Sequence, residues 1–124
     1  MIDTLTDVKF EFYKGNTYSR DFTLDGWSLF IEKMYFTVKE NTNNKRAVFQ
    51  KTLNDGITLV SDEEGIKTFN ILIDNVDTDV MKTEVEYPFD VNIHSIAADG
   101  KTIEKTIMTG IVYLLPHSTD SYNE

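Results

Sequence analysis

Asp74, Asp77 and Asp79 fall within six positions of one another. Carboxylates at that density are the raw material of a calcium site, which needs several oxygens converging on one point. The spacing is not that of an EF-hand loop, which places a Gly at its sixth position and a Glu at its twelfth. A structural role competes: Asp77 can N-cap a helical turn over Thr78–Lys82. Asp62, Glu63 and Glu64 form a second acidic run, which together with Gly65 reads as a solvated turn. His94 and His117 are the two histidines, and there is no cysteine. A zinc site would need both histidines plus carboxylates from distant parts of the chain. Ser, His and Asp are all present, but no Gly-x-Ser-x-Gly elbow singles out a nucleophile. The glycines sit singly at turns or bulges, so no phosphate-binding loop is built. Catalytic residues, none; cofactor-binding residues, none; metal ligands, none: that is the expectation, with no cofactor and no enzymatic activity.

Aromatic side chains offer a different chemistry. The chain has eight Phe, six Tyr and one Trp. Exposed aromatics can stack on sugar rings, and Tyr13, Tyr35 and Tyr113 are candidates for such a platform. Phe10, Phe12, Phe22, Phe36, Phe69 and Phe89 lie mostly on apolar parities and read as core. Exposed tyrosines suit protein interfaces equally well.

These residues must be held by strands. Val8, Phe10 and Phe12 alternate with polar neighbours in a first strand. Lys14-Gly15-Asn16-Thr17 reads as a turn, and Tyr18, Phe22 and Leu24 as a second strand closing a hairpin. Asp25-Gly26 ends it, and Trp27 to Ile31 reads as a crossover anchored by Trp27. Met34, Phe36 and Val38 mark a third strand. Glu40 to Arg46 is a polar, Asn-rich exposed loop. Val48–Leu53, Ile57–Val60 and Thr68–Ile73 give three more strands, divided by Asn54-Asp55-Gly56 and by the turn at Asp62–Gly65. The segment Asp74–Val85 is a connector with Val80 and Met81 available to the core. The clearest pair comes last. Tyr87, Phe89, Val91 and Ile93 alternate with polar residues, and Asp99-Gly100 supplies positive φ for a tight hairpin turn. Ile103 and Ile107 lie on one parity and Met108, Gly110, Val112 and Leu114 on the other, which predicts a bulge near Gly110. Phe89, Val91, Ile93 and Val112 should be buried, and Asp90 should face outward. Eight short strands with regular turn signals predict an antiparallel sandwich or barrel. Residues 1–116 form a single domain, and 117–124 a polar C-terminal tail.

The chain of 124 residues carries a formal net charge of −9. An acidic surface repels phosphate backbones, and Lys45-Arg46 is the only adjacent basic pair, so no nucleic-acid partner is expected. The longest apolar run, Ile111–Leu115, is far short of the roughly 20 residues of a membrane-spanning helix, and no membrane partner is expected. The residues after Met1 lack the basic and apolar regions of a secretory leader.

Taken in order, the punctuation of the chain resembles one group of proteins. The run is Lys14-Gly15-Asn16-Thr17, Phe22-Thr23-Leu24, Phe36-Thr37-Val38-Lys39, Gln50-Lys51, Gly56-Ile57-Thr58-Leu59 and Asp77-Thr78. It continues with Tyr87-Pro88-Phe89-Asp90-Val91-Asn92-Ile93, Asp99-Gly100 and Gly110-Ile111-Val112. This resembles the small β-sandwich domain of tailed-bacteriophage and prophage structural proteins, including the N-terminal domain of upper baseplate proteins. The likeness runs from about Val8 to Leu115 and rests on the ordered set, not on one motif. The chain departs from the family at Leu29–Lys33 and Thr83–Glu86, where the family commonly carries a glycine.

The resemblance implies an all-β fold: an antiparallel immunoglobulin-like β-sandwich of about eight strands with one short helical turn near 77–82. It implies a non-enzymatic virion structural protein, an assembly or adaptor domain of the tail or baseplate, or a head or neck decoration. The expected partners are other virion proteins (tail, baseplate or head), with a homo-oligomer in the assembly. The expected location is the virion, and the host cytoplasm during assembly. The alternative is a carbohydrate-binding β-sandwich module involved in host-surface recognition.

Overall fold

The computed structural model describes residues 4–41 and 46–116. Eight strands carry almost all the regular structure: β1 Leu5–Tyr13, β2 Tyr18–Asp25, β3 Ile31–Lys39, β4 Ala47–Leu53, β5 Gly56–Glu63, β6 Ile66–Ile73, β7 Glu86–Ile96 and β8 Thr102–Leu115. A single 3-10 turn, Asn75–Thr78, interrupts them. Thr42–Lys45 of the expected loop and the whole 117–124 tail, with His117, lie outside the described residues.

The strands form one mixed sheet in the order β1-β8-β7-β3-β4-β5-β6-β2. The sheet rolls until its two ends nearly meet. At that seam the Arg20 guanidinium donates to the Lys9 carbonyl at 3.1 Å, and the Tyr18 ring stacks on Phe12 with centroids 4.5 Å apart. On the other side of the barrel, β4 and β5 share only two ladder pairs, Thr52↔Gly56 and Leu53↔Ile57. There the chain turns a corner through Asn54 and Asp55, with Asn54 at φ 72° and Gly56 at φ 101°.

All-β, eight-stranded architecture agrees with the periodicity, but the sheet is mixed and not purely antiparallel. β1 runs parallel to β8, from Leu5↔Met108 to Tyr13↔Leu115. The expected β1–β2 hairpin does not form, because β1 and β2 stand at opposite ends of the sheet order. Their apolar faces meet across the core through side chains, and β8 satisfies the ladder of β1. Gly110 admits that pairing: a Cβ there would sit 1.8 Å from the Val8 carbonyl oxygen and 2.9 Å from the Phe89 ring.

Period-2 patterning maps onto burial as expected. Phe10, Phe12, Phe22, Phe36, Phe69 and Phe89 all lie in the core. So do Val91, Ile93 and Val112, each 0% exposed. Trp27 is buried as an anchor, whereas Phe30 beside it is 74% exposed. The 310 segment sits earlier than expected, at Asn75–Thr78 and not 77–82, with Asp74 in place of Asp77 as the N-cap residue. Met81 is buried while Val80 points outward. The bulge in β8 falls at Ile107, between the Val91↔Met108 and Asn92↔Thr106 pairs, not at Gly110. It turns both Ile107 and Met108 inward, which is the parity switch seen in the sequence. In the β7–β8 turn only Gly100 takes positive φ. Asp99 instead accepts the Lys101 amide through Oδ1 at 3.0 Å.

Candidate functional site

The acidic groups do not converge. Asp77 Oδ2 lies 2.7 Å from Lys51 Nζ and accepts the Asp74 amide at 2.7 Å. Its carboxylate thus ties the 3-10 turn to β4. Asp79 follows as the exposed C-cap residue. Asp62 faces Lys67 Nζ at 3.4 Å. Glu64 and Gly65 take φ of 53° and 82°, the two positive values of a type I′ hairpin turn. Among the described residues no group of three or more His, Asp or Glu is arranged to hold a metal ion.

His94 and Ser95 are sequence neighbours on opposite faces, as strand alternation dictates. His94 Nε2 is 3.6 Å from a Glu104 carboxylate oxygen and meets the Tyr35 ring edge-on at 5.4 Å. Ser95 is fully buried, and its Oγ accepts the Trp27 indole N–H at 3.0 Å. The imidazole and the hydroxyl therefore cannot form a nucleophile–base pair.

Tyr35 stands apart from the other two tyrosines, while Tyr13 and Tyr113 share the outer face of the β1–β8 pair two register positions apart. Tyr13 is exposed at the end of β1. Tyr113 lies under Lys9 Nζ, 4.8 Å from its ring centroid. Tyr35 packs against His94, two strands from β8. They do not make one stacking surface.

The outer face of β8, β7, β3 and β4 instead carries a hydrogen-bonded polar row. Thr106 Oγ1 donates to Asn92 Oδ1 at 2.5 Å, and Asn92 Nδ2 donates to Asp90 Oδ1 at 2.9 Å. Lys39 Nζ reaches the other Asp90 oxygen at 3.9 Å, and Gln50 Nε2 donates to Thr37 Oγ1 at 2.9 Å. Asp90 is half-buried in this row and faces outward, the face its parity predicts. Beside it lies a shallow cleft of about 610 Å³ lined by Lys9, Lys39, Pro88, Asp90 and Ile111. On its β1 side, Glu11 hydrogen-bonds Lys9 at 2.7 Å and so holds the ammonium pKa above its ordinary 10.5. Both side chains are exposed, so water screens the pair, and whatever it contributes fades as pH climbs through the raised value.

What the fold offers is therefore surface and edge. Among the described residues, β4 from Ala47 to Lys51 and β5 from Thr58 to Glu63 each pair on one side only. A free strand edge presents backbone N–H and C=O groups that another chain can engage.

Three contacts that frame this surface escape local sequence reading. Lys51 crosses the β4–β5 corner to Asp77, its stem over Gly56: a Cβ on that glycine would meet Lys51 Cδ at 2.4 Å. The Tyr87 hydroxyl accepts the Lys82 amide at 2.8 Å, closing the loop into β7. Trp27 and Ser95 join across 68 positions. Each pairs residues from different strands or loops, and only Tyr87, at the start of an apolar alternation, carried a hint. No helix among the described residues is long and apolar enough to cross a membrane. The sequence matches no family model and no curated protein.

Proposed function

We propose that the chain is a non-enzymatic assembly domain of a bacteriophage or prophage virion, an immunoglobulin-like β-sandwich serving the tail or baseplate, or decorating the head or neck. Its partners in this reading are other virion proteins and further copies of itself.

The observation that carries the assignment is the two-sided architecture around the β4–β5 corner. Within the single rolled sheet, β4 and β5 are joined by only two residue pairs, and in this reading that corner divides β1-β8-β7-β3-β4 from β5-β6-β2 as the two faces of a sandwich. The Tyr87 hydroxyl binds the backbone five residues upstream at the entry to β7, as the tyrosine corner of immunoglobulin-like domains does. Elements of the resemblance also occupy structural positions. Asp99-Gly100 forms the β7–β8 turn, Gly110 admits β1, and Gly56 makes the corner. An assembly domain needs faces and edges, and the polar row and free edges supply both.

The test is association. Purified protein is examined by sedimentation velocity at high concentration, and by co-purification with phage tail, baseplate and head proteins. Self-assembly or a stable complex is the expected result. A monomer that ignores every tail and head protein overturns the assignment.

A further inference from the structure

We infer that the cleft between β3 and β5 is a docking site for an extended, basic segment of a partner protein that places one apolar side chain into it. The inference deepens the assembly reading by naming the surface and the chemistry of its partner, and it rests on that reading.

The cleft arises from strand lengths. The β3–β4 pairing stops at Tyr35↔Thr52, while β3 continues back to Ile31 paired with β7 alone. β5 leaves β4 after Leu53↔Ile57 and from Thr58 onward pairs with β6 alone. Among the described residues no strand fills the space between these two stretches. A cleft of about 290 Å³ opens there, lined by Phe30, Ile31, Leu53, Leu59, Asp62 and Phe69. Its inner wall is apolar, because Ile31 and Phe69 belong to the core.

Large apolar side chains stand exposed at the mouth, with none of the described residues over them. Phe30 is 74% exposed and Leu59 44%, and Val60, next to Leu59 on β5 but not part of the lining, is 57% exposed. The β5 bulge lies between Leu59 and Ser61, and it leaves Leu59 and Val60 both exposed. Apolar groups gathered beside an open strand edge mark an interaction surface.

The rim decides the occupant. Glu32, Asp55, Asp62, Glu63 and Glu64 are all exposed around this edge. Two cations lie near these five acids: Lys67 is taken up by Asp62 and the Trp27 carbonyl, each at 3.4 Å, and Lys33 is exposed beside Glu32, so the rim stays net acidic. A second copy would bring the same acids to the same edge and be repelled. Lysine or arginine side chains flanking an apolar residue complement both features, and an extended segment lets alternate side chains point into and out of the cleft.

The test uses the full chain, labelled with 15N, and the peptide acetyl-Lys-Val-Lys-Leu-Lys-Val-Lys-amide. The control peptide has every Lys replaced by Glu. Amide shifts confined to Phe30–Lys33, Leu53–Glu63 and Lys67–Phe69 are expected for the basic peptide, with none for the acidic one. Binding should weaken at least about tenfold in Leu59→Glu and in Phe30→Ser, and again as NaCl is raised from about 50 to about 300 mM. Both positions are exposed, so the variants keep the fold, which their amide spectra check. Equal binding of the two peptides, shifts centred elsewhere, or affinity unchanged in both variants overturns the inference. If virion partners bind as expected but remain unaffected by Leu59→Glu and Phe30→Ser, the cleft assignment fails while the assembly reading stands. If no virion protein binds, the assembly reading itself fails.

Discussion

The Lys51 ammonium meets the Asp77 carboxylate at 2.7 Å, with both side chains at least 85% shielded from solvent. This ion pair bolts the 3-10 turn to β4 at the corner where the chain passes from one half of the barrel to the other. Its stem occupies the space that a side chain at Gly56 would fill.

Lys51→Met leaves Asp77 shielded with only the Asp74 amide, and should cost about 1–3 kcal/mol, below the figure for a fully buried pair. Asp77→Asn should cost a similar amount. The double variant should recover part of the loss, and a urea-melt double-mutant cycle measures that coupling. Gly56→Ala combines a φ of 101° with the collision against Lys51, and should be at least as damaging as Lys51→Met. Additive losses in the cycle would show that the pair is not coupled.

Gly110→Ala should drive β1 off β8. The new methyl would collide with the Val8 carbonyl, a backbone atom that cannot move without breaking the parallel ladder. A loss of about 2–3 kcal/mol is expected. Hydrogen exchange should locate it, with the amides of β1 losing protection before those of β3 and β7. Unchanged protection in β1 would contradict the geometry.

The eight strands and their inward faces were legible because half-buried strands write their parity into the sequence, as Phe89, Val91 and Ile93 do. Pairing was not legible. Alternation says which face of β1 is buried but not which neighbour takes its hydrogen bonds, so the Lys14–Thr17 turn read as a hairpin when it is a crossing from one sheet edge to the other. At 74–79 the cap reads as Asp77 and not, as found, Asp74, for a related reason. Three aspartates close in sequence suggest one site, yet the partner that fixes Asp77 is Lys51, on a strand that no local pattern connects to it. The β3–β5 cleft was invisible because it depends on where two pairings stop.

Trp27 and Ser95 supply a third test. Trp27→Phe strands the Ser95 hydroxyl in a buried site, and Ser95→Ala strands the indole N–H; each should cost about 1–2 kcal/mol. Trp27 is the only tryptophan, so its fluorescence reports unfolding directly. In the native state its emission should be blue-shifted, as a buried indole requires. Emission like that of free tryptophan would place Trp27 in water and refute the packing.

Tyr87→Phe removes one hydrogen bond, to the Lys82 amide, and keeps the ring in the core. About 1 kcal/mol should be lost, with the Lys82 amide exchanging faster. A normal exchange rate at Lys82 would show that the corner is held by other contacts.

The parallel pairing of β1 with β8 has a mechanical meaning. Leu5 lies beside Met108 at one end of the ladder, and Tyr13 beside Leu115 at the other. Tension applied between Leu5 and Leu115 would drag the two strands past each other along their length. The ladder bonds would then share the load, where a hairpin pulled open at its ends breaks them one after another. The same stitch that Gly110 makes room for would therefore resist tension applied along the two strands.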